Sequence, residues 1–466
     1  MARLDPNTAK FRYTLLLLNC LLTFGSYYCF DMPANLEDYI KDQVIHGFAP
    51  GEENTYYNYF YLVYSWTNML MSLCAGVMVD RLGKEKSMYL FVSFCIIGSA
   101  VYALGAAMVD SDPTLRYVVM FIGRFVFGLG GGPITIVQNA FTAIHFNGHE
   151  LAMAFGCTLT VSRVGSVVNF NLTPSLYNLF KDNVSEQYAL AITLAVGSFL
   201  TCFSLIAAYN LASMDRYAQE TEQGAYKVVK NSSGVEVKKK KMKLSDVKEF
   251  PWLFWVLAIT ISIFYSIIFP FMADSSSFLQ EDKFGLNATS ASFRASLVYM
   301  CSMVVSPFLG AFVDWFGRRT NIAFLGTSLT LPVFLLLADT DYDPLFAMLL
   351  LGMSYSVCAA ALWPSVQLLV PLHTVGTANG VATSIQMFGI GICNILVGYL
   401  RDNTDFVTTM MFFFGLGCAT VFTVMTMYCL DFDKKMYLGK RDKKEGEEGG
   451  QGMSDPLLAK ERESLV

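Results

Sequence analysis

The sequence predicts an all-α membrane protein with twelve transmembrane helices in two pseudo-symmetric six-helix bundles. Three observations point there. Hydrophobic residues make up 54% of the 466 and charged residues only 15%, against about 25% charged in soluble domains. Apolar runs of about 20 residues, the length that crosses a bilayer, recur along the whole chain. A short pattern that ends the second run returns at the end of the eighth. The same composition argues against a disordered chain, a disulfide-stapled secreted fold and a nucleic-acid binder. The formal net charge of −5 says little, because the position of charge matters more than its sum. All eleven cysteines fall within or beside apolar runs and none forms a CxxC pair, so they read as small packing residues.

Twelve runs can be placed near 11–31, 57–79, 87–108, 116–142, 151–179, 188–210, 252–273, 291–313, 320–338, 344–370, 376–400 and 406–430. The first follows Arg3, Lys10 and Arg12 and continues to Asp31. It is too long for a signal-peptide core and reads as a retained span. Alternate loops separate by charge. Arg81, Lys84 and Lys86 follow span 2, Arg318 and Arg319 follow span 8, and Lys238 to Lys241 lie between spans 6 and 7. The other loops are poor in base and carry Glu37, Asp38, Glu52 and Glu53, then Asp339, Asp341 and Asp343. The positive-inside rule places both termini and the long connection in the cytosol. The loop after span 4 fits this pattern poorly, offering only His145 and His149. The expected organisation is an N-terminal bundle over 1–213, a cytosolic linker over 214–250, a C-terminal bundle over 251–430 and a disordered cytosolic tail over 431–466. Sequons at Asn183 and Asn287 fall in non-cytosolic loops and are expected to be glycosylated, whereas Asn231 falls on the cytosolic side. In the tail, Leu457-Leu458 and the final Ser464-Leu465-Val466 are weak matches to sorting or docking signals.

The repeat is the strongest internal signal. Gly76-Val-Met-Val-Asp80-Arg81-Leu-Gly83-Lys84 recurs as Gly310-Ala-Phe-Val-Asp314-Trp-Phe-Gly317-Arg318, each matched position offset by 234. Each copy ends an even-numbered span and enters a tight basic turn. Glycine suits the turn and close helix approach, the aspartate can pair with a helix N-terminus or a cation, and the bases suit headgroups. Two copies at the same point of two six-span halves indicate a duplicated transporter.

The doubled pattern resembles the loop signature of the major facilitator superfamily, and Gly123-Arg124-Phe-Val-Phe-Gly128-Leu-Gly130 resembles its helix-4 arginine motif. Tyr28-Cys-Phe-Asp31-Met-Pro33, Tyr64-Ser-Trp66, Ser162-Arg163-Val-Gly165, Phe269-Pro-Phe271 and Ala361-Leu-Trp363-Pro364 are similar to its lysosomal dipeptide transporter branch. The resemblance implies a uniporter that releases dipeptides from the lysosome, assisted by a glycosylated single-span accessory subunit and needing no cofactor. A lysosomal or endosomal membrane is expected, with the plasma membrane as the alternative. It also assigns the substrate's carboxylate to Arg163 and its amino end to a glutamate whose position here is Gly132. The doubled motif (Gly76, Asp80, Arg81, Gly83, Lys84 and Gly310, Asp314, Gly317, Arg318) would control conformational switching, and Arg124 coupling or gating.

Charge inside a span costs about 2.5–3.5 kcal/mol on insertion scales, so it usually faces a cavity or a partner. At 1.5 Å per residue, Arg163 and Gly132 both lie roughly 20 Å from the start of their spans, near the midplane. Arg163 is the expected substrate contact; the competing reading bonds it to nearby carbonyls or Asn169. No acid is expected at that depth, because Asp31 and Asp274 end their spans near the non-cytosolic face, so the cavity should be electropositive. Asp31 reads as a gate or a helix-end cap. Gln138, Asn139, Asn169, Asn171, Asn379, Gln386 and Asn394 are polar positions inside spans; some should line the cavity, though each alone is more often an interhelical bond. Tyr64, Trp66 and Trp363 are candidate cavity walls, with plain aromatic packing as the alternative. The glycines at 128 and 130–132 read as helix packing rather than a phosphate loop, since no Lys-Ser/Thr follows. The histidines (His46, His145, His149, His373) show no metal-ligand spacing and no nucleophile motif is present, so an enzyme and a metal site are not expected. The lysine run over 238–241 can meet anionic membrane lipids, though a solvated topology signal is the safer reading, and no nucleic-acid partner is expected. The function these residues predict is alternating-access transport of dipeptides or small carboxylate-bearing amino compounds. The alternatives are an organic-anion carrier on the same scaffold and a non-transporting receptor or assembly protein.

Overall fold

A computed structural model describes residues 8–146, 149–221, 247, 250–280, 283–370 and 374–433. The first half holds α1 (Ala9–Asn35), α2 (Glu37–Ile40) with a π-turn over Lys41–Ile45, α3 (Glu53–Leu82), α4 (Lys84–Ala107), α5 (Pro113–Gly131), α6 (Pro133–His145), α7 (His149–Asn183) and α8 (Glu186–Thr221). The second holds α9 (Trp252–Ala273), α10 (Ser275–Gln280), α11 (Ala288–Phe316), α12 (Arg319–Ser328), α13 (Thr330–Asp339), α14 (Leu345–Leu368), α15 (Val375–Asn403) and α16 (Phe406–Asp433). Span 4 is α5 plus α6, which meet at Gly132 before Pro133, and span 9 is α12 plus α13, which meet at Leu329. The twelve spans stand within a few residues of their sequence-read positions. The helices extend past the apolar runs, so α8 takes the first residues of the expected linker and α16 ends at Asp433. The lysine run, Asn231 and the motifs of the tail lie outside the described residues.

Among the described residues, ten helical segments are long and apolar enough to cross a membrane. The other two spans, α3 and α7, have the length, at 30 and 35 residues, but are too polar. Their polar side chains are buried: Asn58, Ser65, Thr67, Asn68 and Ser72 on α3, and Thr158, Ser162, Ser166, Asn169 and Thr173 on α7. Both helices lie between the halves, where polar groups meet protein instead of lipid. Helix α3 packs on α15 and α7 on α11. Because the repeat equates spans 2 and 5 with spans 8 and 11, these two seams are copies of one contact.

The repeated turn is explained by backbone geometry. Gly83 and Gly317 end α3 and α11 with φ of +87° and +66°, where a Cβ is strained. The copies then diverge. Lys84 continues directly into α4, whereas Arg318 itself takes the left-handed region at φ +46°, at a cost of about 1–2 kcal/mol for a residue with a Cβ. Close helix approach at Gly76 and Gly310, expected from sequence, is not found: a Cβ at either would meet open space. Lys84 pairs instead with Asp215 on α8 at 2.8 Å, and His145 Nε2 meets the same carboxylate at 2.9 Å, which gives the loop after span 4 its anchor. The side chains of Asp80 and Asp314 lie outside the described set. Close approach is found elsewhere. A Cβ on Gly98 would sit 2.3 Å from the Phe127 nitrogen and one on Gly123 2.5 Å from that of Tyr102, so α4 and α5 cross through this glycine pair.

Candidate functional site

Arg163 leaves α7 half-buried and reaches into the other half. Its Nη2 donates to the Tyr355 hydroxyl on α14. The guanidinium carbon lies 4.7 Å from the Tyr355 ring centroid, 5.6 Å from Tyr299 on α11 and 5.8 Å from Tyr27 on α1. Behind Tyr355, the ring of Tyr265 on α9 stands at 5.9 Å, and its hydroxyl accepts 2.8 Å from Trp363 Nε1. Trp363 is therefore joined to Arg163 through two tyrosines. The arrangement has one fixed cation, with guanidinium donors beyond the one used on Tyr355, inside a wall of rings with polar tips. Such a fork matches a carboxylate.

Asp31 corrects the expectation that no acid shares this depth. Helix α1 begins at Ala9 and runs on to Asn35, so residue 31 is not its end. Asp31 is 4% exposed, and its Oδ1 accepts 3.2 Å from the Tyr299 hydroxyl. It stands beside Ser166, one turn along α7 from Arg163, and within the field of Arg163 and Arg124. Its second oxygen, Oδ2, is buried with no hydrogen-bond partner among the described residues.

Gly132 is helical (φ −78°, ψ −48°) at the α5–α6 junction. A Cβ there would lie 1.8 Å from Asn68 Oδ1. Asn68 is held by Ser72 Oγ, which donates to Oδ1 at 2.9 Å, and its Nδ2 reaches Met387 Sδ on α15 at 3.7 Å. An amide thus fills the place that the resemblance gives to an acid. The neighbouring glycines are packing residues, Gly130 against the Phe91 carbonyl and Gly128 and Gly131 against Tyr64.

The remaining candidates separate. Tyr64 lies inside the first half, its ring 4.7 Å from Phe30 and 5.5 Å from the Arg124 guanidinium. Arg124 is 2% exposed and caged by Phe30, Tyr61, Tyr64, Tyr102 and Phe127, with the Phe30 carbonyl accepting from both its terminal nitrogens at 3.4–3.5 Å. Asn169 accepts 2.6 Å from Thr173, whose hydroxyl also meets Tyr28, and Gln386 is buried on α15. Two candidates stand away from Arg163. Gln138 bonds the Asn19 carbonyl at 2.8 Å and Thr23 at 3.0 Å, clamping α6 to α1. Trp66 lies on the other side of α3 from Tyr64, 39% exposed and stacked on Phe388 at 6.2 Å. Two residues on, a helix has turned by about 200°, so Tyr64 and Trp66 cannot share a wall. Of the site, sequence reading missed Tyr27, Tyr265, Tyr299 and Tyr355. The available signal was a phenol hydroxyl within an apolar run, which needs a partner when buried.

A second polar assembly shuts the face away from the chain termini. Arg401 on α15, its side chain 7% exposed, pairs with Glu37 of α2 and with Asp274 before α10. Its Nη2 donates to Ser277 at 2.9 Å. Lys41 pairs with Glu37 at 2.9 Å, and Asn58 donates to Asp274 at 3.1 Å. Asp402 accepts from the Asn54 and Thr55 backbone at 3.0 and 2.8 Å, while Ser277 and Gln280 donate to Asp38 at 2.9 and 3.0 Å. Six of these nine bonds cross from one half to the other. Burial, with Asp274 and Asp38 close by and Arg401 and Lys41 opposing them, pushes the Glu37 carboxyl up to about 8.

Comparison with known proteins agrees with this architecture. Residues 20–394 match the Major Facilitator Superfamily. The chain is 34% identical to the lysosomal dipeptide transporter MFSD1 of Homo sapiens over 433 residues, covering 92% of this chain and 88% of that protein. It is 34% identical to the Danio rerio protein of the same name, covering 92% and 89%. Among solved structures it resembles the inward open xylose transporter XylE from E. coli, with a TM-score of 0.70 at 12% identity over 93% of this chain and 98% of that one. The nucleoside transporter NupG is similar at a TM-score of 0.64 and 15% identity over 89% and 100%. The family match over residues 20–394 and the 34% identity across 92% of the chain fix its place: it belongs to the major facilitator superfamily and, within it, to the family of the lysosomal dipeptide transporter MFSD1.

Proposed function

We propose that this protein carries dipeptides out of the lysosome by alternating access, as a uniporter with its binding site at the seam between the halves. The observation that carries the reading is Arg163, a guanidinium set among tyrosines and bonded across the seam to Tyr355. A peptide carboxylate suits that fork, and a ligand there touches both halves, as alternating access requires. The basic loops argue for cytosolic termini, which makes the face closed by Arg401 and Glu37 the lumenal one. Asn183 and Asn287 lie at that face and are exposed, as glycosylation needs. The MFSD1 relatives support the substrate class and the organelle. A glycosylated single-span subunit would meet the lumenal surface, and lipids the outer faces.

The test is uptake of a labelled dipeptide by proteoliposomes carrying purified protein. Wild type should exchange the dipeptide and Arg163→Gln should not, although it inserts and folds. Exchange of organic acids but of no peptide would favour the organic-anion reading. Unimpaired exchange by Arg163→Gln would remove Arg163 from the site.

A further inference from the structure

We infer that Asp31 is the residue that receives the substrate's ammonium group, taking the role that position 132 cannot serve. This rests on the dipeptide reading and names the second pole of the same site. Three observations carry it. Position 132 carries no acid, and the Asn68 side-chain amide lies where its Cβ would be. Asp31 is an acid on the same tyrosine wall as Arg163: Tyr299 donates to its Oδ1 at 3.2 Å and lies 5.6 Å from the Arg163 guanidinium. Its other oxygen is buried and meets no donor at hydrogen-bonding geometry among the described residues, although the Ser166 hydroxyl stands beside this carboxyl. A buried carboxylate oxygen without a donor is costly, and a ligand that brings one is rewarded.

Tyr299 touches both groups, its hydroxyl on Asp31 and its ring beside the Arg163 guanidinium. A dipeptide spans at most about 7 Å from amine to carboxylate, the scale of a tyrosine side chain. The site is then matched to a zwitterion, and its net charge is balanced without an acid on α5–α6.

A structural alternative exists on the same geometry. Asp31 also lies in the field of Arg124, and a counter-ion to two arginines would stabilise the fold whatever the ligand. The two roles differ in what they discriminate. A counter-ion affects all ligands alike, whereas an ammonium acceptor affects only those with a free amine.

The experiment measures binding by thermal shift and by competition against a labelled dipeptide in purified wild type, Asp31→Asn and Asp31→Glu. The ligands are one dipeptide, its N-acetyl form and its C-terminal amide. Wild type should prefer the free dipeptide to the N-acetyl form by about 10–100-fold, the range of one charge-assisted bond. Asp31→Asn should abolish that preference while leaving the N-acetyl form bound as before, and Asp31→Glu should restore part of it. An unchanged preference in Asp31→Asn, or an equal loss for all three ligands, overturns the inference while the dipeptide reading stands. No binding of any peptide to wild type overturns both. Should Asp31→Asn not fold, a cryo-electron microscopy map of wild type with the dipeptide decides. An ammonium within hydrogen-bond distance of Asp31 supports the assignment, and an ammonium placed elsewhere refutes it.

Discussion

Replacing Arg401 by glutamine should unlock the face away from the chain termini. The side chain is 7% exposed and faces Glu37 and Asp274, themselves 1% and 0% exposed. Removing one partner from a buried ion pair costs about 3–5 kcal/mol, because the other charge, here that of Asp274, stays buried. Asn58 still donates to Asp274 at 3.1 Å and moderates the loss, so the lower end, about 3 kcal/mol, is the working figure. Opening hydrates that carboxylate and recovers the energy. At about 1.4 kcal/mol per tenfold, the closed population should fall by on the order of 100-fold relative to the open one. Spin labels at Asp42 and Asn403, both exposed on this face, report the change by pulsed electron resonance in protein with its exposed cysteines replaced. A short, narrow distance in wild type should become long and broad in Arg401→Gln at about pH 5, where closure is near its strongest. Identical distributions would show that the network does not hold the face shut.

Further outcomes follow from the same geometry. Closure keeps the Glu37 carboxyl protonated up to about pH 8, whereas opening returns it toward the ordinary 4.5, so the closed form holds more protons between those values. Closure is therefore fully favoured below about pH 4.5 and weakens as pH rises toward 8; the spin-label distances should lengthen across that window, and Glu37→Gln should flatten the response. Gly98→Ala should lower the melting temperature in detergent, since its Cβ meets the Phe127 backbone at 2.3 Å and overpacking costs about 1–3 kcal/mol. Gly76→Ala, in open space, should not lower it. Asn183→Gln and Asn287→Gln should each remove one glycosidase-sensitive mobility shift, while a tag at either terminus should be reached only from the cytosol. Asp80→Asn and Asp314→Asn should each slow dipeptide exchange without loss of folded protein; unaltered kinetics in both would reduce the repeat to a turn.

The spans and the duplication were legible because a bilayer demands long apolar runs and because Gly83 and Gly317 both need positive φ. What sequence could not show was which way a side chain points. In a soluble helix the polar face marks the outside, but here lipid and protein interior are both apolar, so Trp66 and Gln138 looked equal to Trp363 as cavity residues. Asp31 was set too near the surface because its helix was measured by its apolar run. In fact α1 continues four residues further, and side chains lean toward the helix N-terminus. The network around Arg401 was illegible for another reason. Glu37 and Arg401 are 364 residues apart, and Glu37 and Ser277 sit in short helices too small and polar to register as elements.

The bond from Arg163 to Tyr355 bears on how tightly this protein can hold anything. The resting guanidinium already gives one donor to a phenol, so a carboxylate that takes the full fork fills idle donors and displaces that hydroxyl as well. For the displaced donor, the gain is the difference between two hydrogen bonds. A charged acceptor outbids a neutral one by roughly a factor of two in strength, enough to bind but not to trap. The displaced tyrosine belongs to the opposite half, so each arrival cuts one tie across the seam and each departure lets it re-form. Release is thus helped by the protein's own hydroxyl, a property suited to a carrier that must let go on every cycle.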